Sequence, residues 1–237
     1  MSPVADSALA GAVLHLGNLV PRAGHSVLWR GRGNRVVTTG ALLRRTRVRI
    51  AGDGNRFVAG PRARLTGVTV VIRGTGNTVR IDRGARLKQG SILWIEGSDC
   101  EISIGAETTI ESATLAATEA RTRIHIGRDC MLSTDVDIRT GDSHAIFDRR
   151  ARRRVNPAAD VEIGDHVWLG RGTQVLKGVR LRSGSVVGAA SVVTRAIDEE
   201  NVVVAGVPAR VVRRDIHWTR SRATELAGEA VPVGHLQ

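Results

Sequence analysis

The chain has 237 residues, 42% of them hydrophobic, enough for one large domain with its own core and no need of disulfide or metal staples. Aromatic residues make up 3%, tyrosine is absent and glycine numbers 27, which excludes a core stacked from large rings and leaves Val, Ile, Leu and Ala to build the interior. The net charge of +12 is carried almost wholly by arginine, Lys88 and Lys177 being the only lysines, and it favours an anionic partner: a polyphosphate cofactor, an acidic glycan or nucleic acid.

In chain order, the apolar run "ALAGAVLHLGNLV" (8–20) comes first. No basic stretch precedes it, and His15 and Asn18 interrupt it. It is too short and too polar for a membrane span and lacks a signal-peptide layout, so it reads as a short helix within an N-terminal cap over 1–28. Next come "GRGN" (31–34), "GDGN" (52–55) and "GTGN" (74–77), with a drifted copy, "GSDC", at 97–100. They read as one repeated turn in which Gly and Asn adopt positive φ. No helix pattern follows them, so they are not phosphate loops. Cys100 and Cys130 stand outside any CxxC or metal spacing and read as small buried hydrophobes in a reducing, cytoplasmic setting.

Between the turns runs a period of six. From 163 to 193 an aliphatic residue recurs at every sixth position: Ile163, Leu169, Val175, Leu181, Val187 and Val193. Four places after each of the first five stands Val167, Thr173, Val179, Ser185 or Ser191. Earlier in the chain the same spacing appears as triplets: Ala59, Leu65, Val71; Ile81, Leu87, Leu93; Ile104, Ile110, Ala116; Ile126, Leu132, Ile138. Neither an amphipathic helix nor an alternating strand has this period. It fits a hexapeptide-repeat solenoid, in which three short strands make one triangular coil and coils stack on one another. The expected fold is therefore all-β, a parallel β-helix over 29–200, with an N-terminal cap and a C-terminal segment over 201–237.

The period fails once. Six on from Ile138 is His144, and four on is Asp142, polar groups where the register asks for apolar or small ones; either the coil ends here or these groups have partners. The period resumes at Ile163, so 145–162, "AIFDRRARRRVNPAADVE", reads as an insertion loop. Such an excursion from a regular solenoid is more often functional than structural, and its arginine run, 149–154, is suited to gripping an anion.

At this point the chain resembles a family. "DSHAIFD" (142–148), "VN" (155–156), "IGDHVWLGRGTQVLKGV" (163–179), "VVGAASVVTR" (186–195) and "VVAGVPARVV" (203–212) match, in order, the signatures of the left-handed β-helix acyltransferases of the hexapeptide-repeat superfamily, in the branch of sugar and capsular-polysaccharide O-acetyltransferases. The resemblance covers 126–214; residues 30–115 share only the repeat. It implies a left-handed coil and transfer of an acetyl group from acetyl-CoA to a saccharide hydroxyl, with no metal and no acyl-enzyme. His144 is then the general base, its second nitrogen held by Asp142 or a nearby carbonyl, with Asp148 anchoring the insertion. Trp168 lies against the pantetheine arm near the base. Gly170 and Arg171 align with a Gly-Ser pair that holds the thioester oxygen; with arginine in place of serine, a backbone N–H or the guanidinium must serve. Ala189 and Ala190 match a small pair that bonds the pantetheine amide. Thr194, Arg195, Arg210 and Lys177 match groups near the nucleotide. Because the family binds coenzyme A between parallel solenoids, a homotrimer is implied.

Two other readings stand beside this one: an N-acetyltransferase on an amino sugar, for which the base matters less, and a non-catalytic basic scaffold binding polyanions. Nucleic acid is disfavoured by the scarcity of aromatic stacking platforms. A zinc hydratase would need three converging histidines, and His125, His144 and His166 are not spaced for one.

Overall fold

An inward residue at every sixth position forces the chain to turn a corner after each short strand, and it does so throughout the described residues, 24–222, of this computed structural model. Three sheets of eight, seven and nine strands result. The first contains Ser26–Arg30, Arg47–Ala51, Thr69–Arg73, Ile92–Glu96, Ala113–Thr118, Val136–Arg139, Gln174–Val175 and Val192–Val193. The second begins at Arg35–Val37 and ends with Val161–Ile163 and Arg180–Leu181; the third begins at Leu42–Arg44 and includes Met131–Leu132, Trp168–Leu169, Val186–Val187 and Val203–Gly206. Every pairing within the sheets is parallel except the last, where Ala209–Arg213 folds back antiparallel on Val203–Gly206. This is the all-β, left-handed parallel β-helix of the hexapeptide repeat. The helix expected over 8–20 lies outside the described residues, and no described helix is long and apolar enough to cross a membrane.

Equivalent residues of successive coils pair directly. Ala59, Ile81, Ile104, Ile126, Ile163 and Leu181 form one buried column, and Leu65, Leu87, Ile110, Leu132, Leu169 and Val187 another. In the third column two assignments shift by one. Leu93 pairs with Val70 and Leu115, not with Val71 and Ala116, which share the outer row with Trp94. At those two coils the corner is one residue shorter, so the inward position arrives after five residues.

The corner between the first and second sheets carries a second device. Gly31, Gly52 and Gly74 are left-handed there, as expected, but Asn34, Asn55 and Asn77 are not. Their side chains instead run up the corner as a ladder. The amides of Asn55, Asn77 and Cys100 donate to the Oδ1 of Asn34, Asn55 and Asn77 at 2.9, 3.1 and 2.9 Å. Asn55 and Asn77 donate onward to the carbonyls of Gly74 and Gly97. Cys100 continues the column by donating its thiol to the Glu119 carbonyl at 2.9 Å. Thr122 and Thr140 finish it, hydroxyl to hydroxyl at 3.1 Å. Buried backbone groups at a corner lack strand partners, and this ladder satisfies them. Both cysteines are buried, as read from the sequence, and burial pushes the Cys130 thiol up to about 12.

Candidate active site

The Thr140 end of that ladder is where the solenoid opens. After Thr140 the chain leaves the corner and returns at Ala159, whose amide donates to the Thr140 carbonyl at 2.8 Å. The excursion is therefore 141–158, an enlarged version of the corner turn; Val161 and Ile163 are already buried strand residues. Asp142 and His144 do not occupy inward slots, which pass from Ile138 to Thr140 and then Val161. Both are exposed on the excursion, so the solenoid meets no buried polar penalty.

The excursion is pinned at its base by Asn156, a residue that is only 7% exposed. Its Nδ2 donates to Asp142 Oδ2 at 2.9 Å and to the His144 carbonyl at 2.8 Å, and its Oδ1 accepts from the Ile146 amide at 2.6 Å and from Arg154 Nε at 3.2 Å. Lys177, from the next coil, donates to Asp142 Oδ2 at 2.5 Å and to the Asn156 carbonyl at 3.1 Å. Arg154 reaches Glu119 with two bonds of 2.6 Å. The Lys177 and Asn156 bonds hold the Asp142 carboxyl below the usual carboxylate range, and the Arg154 bonds do the same for Glu119. Asp142 thus fixes the backbone around His144 rather than the imidazole, which has no hydrogen-bond partner among the described residues. Asp148 ties the excursion's turn, its Oδ1 accepting from the amides of Arg150 and Ala151.

A second group of residues lies at the opposite edge of the first sheet. Trp168 stands outward on the third sheet between Met131 and Val186, 38% exposed. Two residues on is the corner of Gly170 and Arg171. A Cβ on Gly170 would sit 2.7 Å from the Ala189 nitrogen, so only glycine lets the two coils approach there. Ala189 and Ala190 form the next corner up, exposed, with the Ala190 amide donating to the Arg171 carbonyl at 2.7 Å. The Arg171 guanidinium is mostly exposed and leans on Asp135 at 3.4 Å. Thr194 and Arg195 are exposed one coil above Lys177, on the excursion's corner, and Arg210 lies on the final antiparallel strand.

The described chain therefore brings Asp142, His144, Lys177, Thr194 and Arg195 to one edge of the first sheet and Gly170, Arg171, Ala189 and Ala190, with Trp168 beside them, to the other. Between the two corners the chain crosses the sheet from Thr173 to Lys177, through the strand Gln174–Val175, a span of at most about 13 Å at about 3.3 Å per residue.

Sequence reasoning passed over the C-terminal strap. Trp218 stacks on His166 at 3.9 Å and lies 6.0 Å from the Trp168 ring. Its indole donates to the His166 carbonyl, while His166 Nε2 meets the Trp218 carbonyl at 2.9 Å and Nδ1 meets Asp129 at 2.7 Å. Arg220 adds bonds to Asp129, Thr109 and the Cys130 carbonyl. His166 takes a left-handed φ of 52°, as Gly84, Glu107, Asp129 and Gly184 do at the same corner of neighbouring coils, so the turn belongs to the repeat and the strap docks on it. His125, His144 and His166 lie apart, and no group of described residues is arranged to hold a metal.

No protein-family model matches the chain. It is 33% identical over 184 residues to the polysialic acid O-acetyltransferase of Neisseria meningitidis, spanning 78% of this chain and 84% of that protein. It is 35% identical over 151 residues to the polysialic acid O-acetyltransferase of Escherichia coli O1:K1 / APEC, where the match takes in 64% of this chain and about half, 48%, of the relative. Among solved structures, the polysialic acid O-acetyltransferase OatWY superposes with a TM-score of 0.81 at 31% identity, over 86% of this chain and 95% of that one.

Proposed function

The chain belongs to the hexapeptide-repeat acetyltransferase family that includes the polysialic acid O-acetyltransferases, and on that premise we propose that it moves an acetyl group from acetyl-CoA to a hydroxyl of an acidic surface polysaccharide, with His144 as the general base. The observation that carries this reading is the excursion. A solenoid that is otherwise regular opens at one corner, fixes the backbone on both sides of a single histidine through Asn156, and leaves that ring free to meet a ligand.

In the reaction, His144 takes the proton of the acceptor hydroxyl as the oxygen attacks the thioester carbonyl. The oxyanion is met at the Gly170–Arg171 corner by a backbone N–H or by the Arg171 guanidinium. Collapse expels the thiolate of coenzyme A, which receives the proton from His144, and no acyl-enzyme forms. The donor suits the Trp168 edge: the exposed indole offers a flat apolar wall, and Gly170, Ala189 and Ala190 keep the corner narrow. Arg195 and Arg210 serve the nucleotide phosphates. Lys177 is held by Asp142 and Asn156, which favours a loop-pinning role over phosphate binding.

The two groups lie at opposite edges of the first sheet in one chain, and a second copy that brings its Trp168 edge to this copy's His144 edge would complete the site; a homotrimer of parallel solenoids does this three times over. One outward row of the first sheet, Leu28, Arg49, Val71, Trp94, Ala116 and Arg139, is mostly apolar and supports packing there, whereas the outward residues of the second sheet include Arg56, Arg80, Glu101, Arg123 and Glu162. The buried free cysteines accord with a cytoplasmic site of action.

The test is acetyl-CoA turnover, followed as thiol release over a panel of acidic, neutral and amino saccharides, with wild type and His144→Ala side by side. Acceptor-dependent release that falls by about 10² or more in the variant supports the proposal. Release that is unchanged by the substitution, or confined to amino sugars, overturns it.

A further inference from the structure

We propose that the hairpin of the excursion, residues 146–155, is the arm that grips the acceptor, with Arg149, Arg150, Arg152 and Arg153 holding carboxylates of an acidic glycan; this rests on the reading of His144 as the acceptor's base. The hairpin is built, not slack. Phe147 and Arg154 bridge antiparallel, Val155 donates to the Ile146 carbonyl at 2.8 Å, and Asp148 donates to the Arg153 carbonyl at 2.9 Å. Arg152 takes a left-handed φ of 51° to close the turn. The base is fixed by Asn156, so the turn is held at a set reach from His144, which precedes Ile146 by two positions. At about 3.3 Å per residue, the span from Ile146 to Arg150 is at most about 13 Å, shortened by the turn over 149–151.

The charges on this turn are compensated only by the single carboxylate of Asp148, which leaves an excess of three positive charges. Asp148 gives its Oδ1 to two backbone amides, Glu119 is occupied by Arg154, and Asp142 by Lys177 and Asn156. Among the described residues no acid pairs with Arg149, Arg150, Arg152 or Arg153, and all four are exposed. Four cations gathered on one small turn repel each other unless an anion joins them, and the guanidinium fork matches a carboxylate. Ile146, Phe147 and Val155 are 57%, 60% and 52% exposed along the same hairpin and provide an apolar surface for the ring faces of a sugar chain. The Trp168 corner lies on the chain's other edge, while Arg195 shares the arm's edge; in the assembly proposed above the arm faces a neighbour's donor corner, and the acetyl-CoA KM in the test below tells the two ligands apart. The ligand is therefore a polymer with recurring carboxylates, threaded past His144.

The experiment uses the full chain and an oligomer of about ten sialic acid residues as the probe, alongside the same oligomer with its carboxyls methyl-esterified. A variant with Arg149→Gln, Arg150→Gln, Arg152→Gln and Arg153→Gln is compared with a charge-matched control, Arg44→Gln, Arg45→Gln, Arg64→Gln and Arg86→Gln, placed on and beside the third sheet away from the excursion. In the loop variant, KM for the acidic oligomer rises at least about tenfold and its salt dependence weakens, while KM for acetyl-CoA and the response to the esterified oligomer do not change. The control behaves as wild type. An unchanged KM, an equal rise in both variants, or a rise confined to acetyl-CoA overturns the arm. Direct binding of the oligomer, by calorimetry, separates this failure from that of the parent reading. Loop-dependent binding without acetyl transfer to any saccharide removes the enzyme and keeps the arm; transfer that ignores the arginines does the reverse.

Discussion

Asn156→Ala takes away four hydrogen bonds that hold the segment around His144, two to its backbone at the His144 carbonyl and the Ile146 amide and two to the side chains of Asp142 and Arg154. An intramolecular hydrogen bond is worth about 1 kcal/mol net, and the partners at 142, 144 and 146 are exposed enough for water to replace part of each loss. The sum is about 2–3 kcal/mol against the pinned loop, which raises the population of misplaced conformers about 30- to 150-fold. General-base catalysis needs the ring within hydrogen-bond reach of the acceptor, so turnover should fall in step with the pinned fraction that amide exchange reports, about tenfold where nine loops in ten have left the pinned state. The coils do not depend on the loop, and the Tm should stay within about 2 °C of wild type. The assay is thiol release under saturating acetyl-CoA, paired with thermal unfolding and amide exchange of residues 143–156. If turnover stays within about twofold while exchange shows the loop loosened, His144 does not depend on this anchor and the reasoning fails.

Trp218→Ala should cost the strap about 3 kcal/mol of docking, loosen Trp168 and raise KM for acetyl-CoA several-fold with little change in the acceptor's KM; an unmoved donor KM would show that Trp168 stands without its neighbour. Acid should release the excursion before it unfolds the solenoid. Asp142 and Glu119 have lowered folded pKa values, so their contribution is complete above the unfolded carboxylate value of about 4 and is lost as pH falls through the folded values. A spin label at Ala151 should accordingly stay ordered down to about pH 4.5 and gain mobility below it, and mobility already rising at pH 6 would contradict these anchors. Asn77→Ala leaves the buried Cys100 amide and Gly97 carbonyl without partners and should destabilise the fold by about 2–4 kcal/mol in guanidinium unfolding, against a smaller loss for Asn34→Ala at the exposed end of the ladder; equal losses would refute the ladder's role.

The repeat was legible because each coil is a local object. Chain geometry alone requires an apolar residue each time a short strand faces the axis, so counting by six finds Ile163 to Val193, and a break in the count finds the excursion and His144. The same counting misplaced Val71 and Ala116, since a corner shortened by one residue leaves no mark on composition. What the side chains do across coils lay beyond it. The asparagine ladder joins residues 21 to 23 apart, Lys177 finds Asp142 at 35, and Arg220 reaches Asp129 at 91. A carboxylate two residues from a histidine looks like its orienting partner in sequence, yet stacking places a lysine and an asparagine closer, and Asp142 is spent on them. Local periodicity determined the architecture of this protein; the partner of every polar group around its candidate site was decided by which coil lies against which, a relation that exists only once the chain has wound.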